Sequence, residues 1–312
     1  MKFIDPSFDI LTDISSGGIK ELKHIERCGR VSYRSEDKIT EDGESAKKFV
    51  AMLIRNGHES VLEHGSLTVE FTVDRAIANE LVRHRLASFT QESTRYCNYT
   101  KDKFGGDVAC ILPLYLKHGY TLYNKLEEEM IQDVEYNAID EATHLVFDYI
   151  TYKYGGPEGM AKNDWDDICK AYNYISAAEF AVTNYKASVA KIYTESLTFN
   201  VESTPEEARW MLPLGLATKI VVTANYREWR HIFKLRCEKH AHPEMRRIMC
   251  ALWLVLNTQI PVIFDDIRDM VNEYLDDDQG LMNRILDLAF LSRMELLENY
   301  DYNDEYDDDG ED

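Results

Sequence analysis

Leu67, Val69, Phe71 and Val73 alternate with Thr68, Glu70 and Thr72, and this stretch limits the possible fold more tightly than any other. A period of two puts the four apolar side chains on one face, so the segment is a strand that needs a covering layer on that side. The period then lengthens to that of a helix. Asp74 can cap it, and Ala76, Ile77, Leu81 and Val82 form an apolar stripe that runs directly into Arg83-His84-Arg85. Upstream, Phe49, Met52 and Leu53 share a face between Glu44 and Asn56, and Gly57 follows as a stop, which predicts an amphipathic helix. Strand, helix and basic triplet therefore form one unit.

Beyond Cys97 the punctuation is glycine and proline. Gly105-Gly106 and Gly155-Gly156-Pro157 flank a helix expected from Leu122 to about Tyr152, and about 110–174 reads as an insertion. A helix is expected over 177–197. Thr204-Pro205-Glu206-Glu207 predicts a helix start, because Thr caps, Pro fits the first turn and Glu complements the dipole. Short apolar segments, Trp210 to Leu216 and Ile220 to Thr223, precede a long helical stretch from near Tyr226, and the C-terminal third is expected to be helical to about Tyr300. Residues 301–312 hold 8 acidic residues in 12 and no apolar period, so a solvated tail is expected after a single catalytic domain over 1–300.

With 312 residues and 45% hydrophobic content the chain can bury a sizeable core. Its 35 Lys and Arg against 56 Asp and Glu leave a net charge of −21, which argues against a coat on duplex nucleic acid. Apolar runs such as Ile248 to Leu256 fall short of the roughly 18 residues a membrane span needs. The start, Met1 to Pro6, lacks a secretory pattern, so a cytoplasmic protein is expected. Cys28, Cys97, Cys110, Cys169, Cys237 and Cys250 form no C-x-x-C pair and are expected to be reduced.

Three groups carry chemistry. Arg83-His84-Arg85 to Arg95-Tyr96 gathers three Arg, a His, several hydroxyls and Gln91, a set that suits a phosphorylated ligand or, equally, a salt-bridged helix end. From Thr218 to Arg247 eight Lys and Arg stand against three Glu, +5 in a chain of −21. Asn225, Trp229, Ile232 and Arg236 share a helix face there, and Arg227 and His231 another. Such a face can hold an anionic aromatic ligand, or bury a core Trp between snorkelling arginines. His58, Glu63 and His64 lack zinc-ligand spacing, so no metal is expected, and there is no G-x-S-x-G, P-loop or G-x-G-x-x-G.

Taken in order, these groups resemble the flavin-dependent thymidylate synthases. Arg83-His84-Arg85, seven residues, Ser93 and then Arg95-Tyr96 resembles the family signature. His58-Glu-Ser60-Val-Leu-Glu63-His64 is similar to its motif before the strand, Arg209-Trp-Met-Leu-Pro213 to its Arg-x-x-Leu-Pro element, and Asn225-Tyr-Arg227-Glu-Trp-Arg-His231 with Arg236 to its late segment. Arg-Val-Ser-Tyr at 30–33 fits an early Ser position. The chain departs from the family at Thr90-Gln91, where members often have Asn-Glu; a neutral amide then replaces a carboxylate unless Glu92 substitutes.

The resemblance implies an α/β fold with a sheet flanked by helices, a homotetramer, and reductive methylation of dUMP with methylenetetrahydrofolate, FAD and NADPH, without a Cys nucleophile. It assigns Glu80, Arg83, Gln91, Glu92, Ser93, Thr94, Arg95, Arg209 and Arg236 to dUMP, and Ser60, Arg83, His84, Arg85, Gln91, Asn225, Arg227 and His231 to FAD. Arg236 is the expected activator, its guanidinium stabilising negative charge on the uracil. A related pyrimidine-nucleotide hydroxymethylase acting on dUMP or dCMP, and a noncatalytic nucleotide-binding homologue, stand as alternatives.

Overall fold

The computed structural model describes residues 1–99, 101, 107–133, 136, 146–189, 193–194, 197–198 and 204–276. The acidic tail and the helical expectation beyond 276 lie outside them, as does Gly105-Gly106. The fold is mixed α/β and divides into two compact, interleaved units: Met1–Asp5, Asp74–Ala76 and Glu92–Thr218 make the first, and Pro6–Val73, Ile77–Gln91 and Lys219–Asp312 the second. In chain order the strands are β1 (Lys2–Ile4), β2 (Ser7–Ile10), β3 (Ser66–Asp74), β4 (Ala87–Gln91), β5 (Ala109–Ile111), β6 (Tyr193–Thr194), β7 (Leu197–Thr198) and β8 (Ala217–Asn225). The helices are α1 (Ile19–Arg30), α2 (Glu44–Arg55), α3 (Arg75–Leu81), α4 (Lys117–Gln132), α5 (Val146–Tyr154), α6 (Lys162–Val189), α7 (Pro205–Ala208), α8 (Tyr226–Arg236), α9 (Pro243–Gln259), α10 (Pro261–Phe264) and α11 (Arg268–Asp276).

The second unit is built on a four-stranded sheet in the order β2-β3-β8-β4, with β2 antiparallel to β3 and β4 antiparallel to β8. The expected alternation holds along β3: Leu67, Val69, Phe71 and Val73 are buried, and the residues between them are not. β8 repeats it with Ile220, Val222 and Ala224. Helix α8 follows β8 without a loop because Asn225 caps it, its Oδ1 accepting from the Glu228 amide at 2.8 Å. The Trp229 indole then donates to the Leu67 carbonyl at 3.0 Å and lies 6.4 Å from the Phe71 ring. Gly65 is required nearby: a Cβ there would sit 2.5 Å from the Tyr226 ring. The middle of helix α9, Ile248 to Leu256, is apolar on every side and wholly buried, as such a run must be.

In the first unit β1 and β5 pair in parallel, and a core of Tyr99, Val108, Cys110, Val182, Tyr185 and Leu216 packs beside them. Leu126, Met130, Tyr149, Ile150 and Ile168 form a second cluster among α4, α5 and α6. Among the described residues the helix expected over Leu122–Tyr152 is not continuous: α4 ends at Gln132, and α5 begins at Val146. Asp133, extended at ψ 98, ends α4, and its side chain accepts from the Tyr136 amide at 3.0 Å, competing with the helical ladder. The helix expected over 177–197 instead spans Lys162–Val189, and Tyr193–Thr194 pairs with Leu197–Thr198 as strands, in keeping with the β-preference of Tyr and Thr. Thr204 and Glu207 form the expected capping box.

Arg230 holds α8 in place. It is buried, forks onto Asp266 at 2.5 and 2.7 Å, and reaches Glu59 at 2.9 Å and the Ile263 carbonyl. Arg230→Ala should lower unfolding stability by about 3 kcal/mol, since Glu59 and Asp266 lose their shared cation, while Arg230→Lys, without the planar fork, should recover only part. Urea unfolding midpoints measured at one pH check this.

Candidate functional site

A cleft of about 820 Å³ opens in the second unit, within the usual range for small-molecule sites. Three elements supply its walls. The short 3₁₀ turn Glu59–His64 gives Glu59 and Glu63. The turn after α3 gives Arg83, His84, Arg85 and Leu86, and α8 with its cap gives Asn225, Arg227, Glu228, His231, Lys234, Leu235 and Arg236. The β4–β8 register joins the last two: Ala87 pairs with Ala224, so the residues just before β4 meet the residues just after β8.

Arg236 is held from behind. Its Nε donates to His84 Nε2 at 2.9 Å, Nη1 donates to Glu80 Oε2 at 2.9 Å, and Nη2 reaches the Glu80 carbonyl at 3.5 Å. Because a guanidinium only donates, His84 must offer a lone pair at Nε2, and its neutral ring carries the proton on Nδ1. Burial, then the charge of Arg236, then His231, push the His84 imidazole down to about 4. Nδ1 lies 3.8 Å from Glu228 Oε1, beyond hydrogen-bond length. Burial raises the Glu228 carboxyl, and His231 and Arg227 oppose that rise.

Around this fixed group stand loosely held donors. Arg83 and Arg85 are exposed, and neither guanidinium has an acidic partner among the described residues. Arg227 pairs with Glu63 at 2.6 Å, both about half exposed. Asn225 uses its oxygen as the helix cap and keeps its amide N–H groups for a ligand. Two free guanidinium groups, imidazole and amide donors and an apolar Leu86 fit a large anionic, partly aromatic ligand.

Seven of the sequence-derived residues come together here: Arg83, His84, Arg85, Asn225, Arg227, His231 and Arg236. Ser60 is exposed on the 3₁₀ turn between two lining residues but does not itself line the cleft. Glu80 stands behind Arg236. Gln91 pairs with Ile220 at the far end of β4, about 13 Å from Ala87 at 3.3 Å per residue. Glu92, Ser93, Thr94, Arg95 and Arg209 belong to the first unit. There Arg95 pairs with Glu206 of α7 at 2.9 Å and lies over the Tyr96 ring, Ser93 Oγ accepts from the Arg95 amide at 3.3 Å, and Arg209 lies over Trp210. Trp229 and Ile232 are core residues, the core-Trp alternative for that helix face, while Asn225 and Arg236 at its two ends line the cleft. Sequence reasoning missed Glu228 and Leu235, which lie three residues before and four after His231 on the cleft side of α8, and that spacing was the signal available. Much of the +5 segment is likewise structural: Arg230 and Arg247 are buried, and Arg246 donates to the Lys239 carbonyl.

Among the described residues no three His, Cys, Asp or Glu side chains gather as a metal site, and no helix is long and apolar enough to cross a membrane.

Residues 19–262 match the family model described as thymidylate synthase complementing protein. A flavin-dependent thymidylate synthase from Corynebacterium aurimucosum is 26% identical over 258 residues, 82% of this chain and 84% of that protein. The one from Pyrococcus abyssi is 27% identical over 238 residues, 73% and 71% of the two chains. In fold the chain is similar to a UMP/dUMP methylase from Streptomyces cacaoi bound with 5-Br dUMP, at a TM-score of 0.56 and 19% identity, covering 86% of this chain and 97% of that one.

The His84 environment has a thermodynamic consequence. Below pH 6.5 the unfolded imidazole takes up a proton that the folded one refuses until about pH 4, so the unfolded state binds more protons and stability falls as pH falls through that window. The wild type should lose about 3 kcal/mol more than His84→Gln between pH 6.5 and 4, with no further difference below. Urea titrations of both proteins at half-unit pH steps check the sign.

Proposed function

The chain belongs to the thymidylate synthase complementing protein family, and on that premise we propose that it is a flavin-dependent thymidylate synthase. It converts dUMP to dTMP by reductive methylation, with methylenetetrahydrofolate as carbon donor and NADPH as reductant. One observation carries the reading: the cleft presents two guanidinium groups, Arg83 and Arg85, without an acidic partner among the described residues, beside a third, Arg236, that is fixed in place.

FAD, when bound, supplies the hydride carrier, and the residues present fit it. Arg83, His84, Arg85, Asn225, Arg227 and His231 would hold it, its phosphates matched by the free guanidinium groups and its ring edges by amide and imidazole donors. Ser60 and Gln91 are assigned to the same ligand on resemblance. Glu92, Ser93, Thr94, Arg95 and Arg209, with Arg83, are assigned to dUMP, whose phosphate calls for hydroxyl and guanidinium donors. Arg236 draws negative charge onto the uracil ring and so makes carbon 5 more nucleophilic. The protein works in the cytoplasm as a homotetramer whose sites draw on more than one subunit.

Purified protein should be yellow, bleach with NADPH, and reoxidise when dUMP and methylenetetrahydrofolate are added. A colourless protein that takes up no FAD overturns the reading, and turnover of dCMP in place of dUMP would favour the hydroxymethylase. Arg85→Ala should weaken FAD retention by about tenfold or more, as loss of a charge-assisted contact does. Arg236→Lys should keep FAD and lower kcat by about a hundredfold, because a point charge cannot replace a planar fork. FAD content by absorbance and initial rates at saturating dUMP separate the two effects.

A further inference from the structure

The sequence places Glu80 among the residues that meet dUMP. Its position in the structure points elsewhere. Arg236 lines the cleft and Glu80 does not, although the two share a 2.9 Å ion pair. Glu80 contributes twice, through its carboxylate to Nη1 and through its main-chain oxygen to Nη2. That carbonyl lies in the last turn of α3, where a cation is favoured, and it also accepts from the Arg83 amide at 3.2 Å, using its second lone pair for the guanidinium. With His84 Nε2 on Nε, all three nitrogens of the guanidinium are engaged by this chain, two of them by Glu80. An arginine on a long flexible stem is thereby reduced to one plane and one height, and its remaining N–H bonds are left for the cleft.

We propose that Glu80 is a positioning residue: together with His84 it clamps the Arg236 guanidinium in the orientation that acts on a bound pyrimidine nucleotide, and it does not itself touch that nucleotide. The inference rests on reading the cleft as a flavin and nucleotide site. Its chemical content is separate from that reading, because the clamp exists before any ligand binds. Other charged side chains line the same cleft, among them Arg83, Arg85, Arg227 and Lys234. Glu228 lies behind His84 at 3.8 Å, and His231 bears on His84 from the cleft side of α8. Neither bonds Arg236, so Glu80 is the carboxylate that sets its plane.

The test uses the full-length, FAD-loaded protein with Glu80→Ala, Glu80→Gln and Arg236→Lys. Loss of orientation without loss of contact lowers kcat and spares KM. Glu80→Ala should bind FAD as the wild type does, keep KM for dUMP within about threefold, and lower kcat about thirtyfold. Glu80→Gln keeps an acceptor oxygen and should recover much of that loss, to about fivefold below wild type. A rise in KM with kcat unchanged would mean that Glu80 contacts the nucleotide, and no change in either would mean that it does nothing for Arg236; both overturn the proposal. Should Glu80→Ala fail to fold, the cycle of Glu80→Gln with Arg236→Lys decides. A double variant no slower than Arg236→Lys alone supports the clamp, and additive losses refute it.

One readout needs no turnover. The Arg236 Nε–H proton, identified by its absence in Arg236→Lys, should exchange with solvent at least about tenfold more slowly in the wild type than in Glu80→Gln. Equal rates overturn the clamp whatever the activity. Protein that binds FAD, protects this proton and yet leaves dUMP unchanged would sink the thymidylate reading while leaving the clamp standing.

Discussion

The Trp229 indole N–H bonded to the Leu67 carbonyl ties the helix after β8 to the neighbouring strand, and the cleft depends on that tie. A buried indole must find an acceptor, and here the acceptor lies on the backbone of β3. Once Trp229 is seated, the 3.6-residue period leaves no freedom: Ile232 and Phe233 pack inward, and Glu228, His231 and Leu235 turn to the cleft. The Phe233 and Phe264 rings, 5.5 Å apart and edge to face, extend the same packing toward α10. The core therefore sets where the ligand-facing groups stand.

Charge is handled differently on the two sides of α8. Inside, both Nη groups of Arg230 are bound, to two carboxylates and a carbonyl, an arrangement that holds elements in register more than it adds net stability. Outside, Arg83 and Arg85 have no carboxylate partner among the described residues. Arg236 lies between these extremes, paired with Glu80 and His84 yet 21% exposed. A neutral His84 is what allows two basic groups to lie within hydrogen-bond distance, and burial keeps it neutral.

Much of this could be read from the sequence. The strand at 66–74, the helix at 44–55, the helix start near Tyr226 and the capping box at Thr204 follow from local periodicity and capping chemistry, and all are present, although the long helical stretch expected from Tyr226 breaks after Arg236 and resumes at Pro243. The Arg83 to Arg85 triplet and the 225–236 segment meet because two strands pair, which a motif order suggests but a period does not. Three things were hidden. Asp133 ends a helix through a side-chain bond three residues on, a competition that an apolar stripe does not record. Which face of α8 is core depends on Trp229 finding Leu67, a contact 162 residues away in sequence. Arg230 and Arg236 look alike in a charge count, and only the fold separates a buried structural cation from one that lines the cleft.

β4 forms one margin of its sheet, with β8 on one side and no further strand of the sheet on the other among the described residues. It is only five residues long, and Ser88 and Thr90 on it are exposed. An open margin is a template for unwanted strand addition, and brevity with hydroxyl-bearing side chains is one way to blunt it. The same five residues join the arginine triplet to Gln91, so the segment meets two demands at once. Making it longer or more apolar would be felt first as a loss of solubility, with the arginines before it still in place.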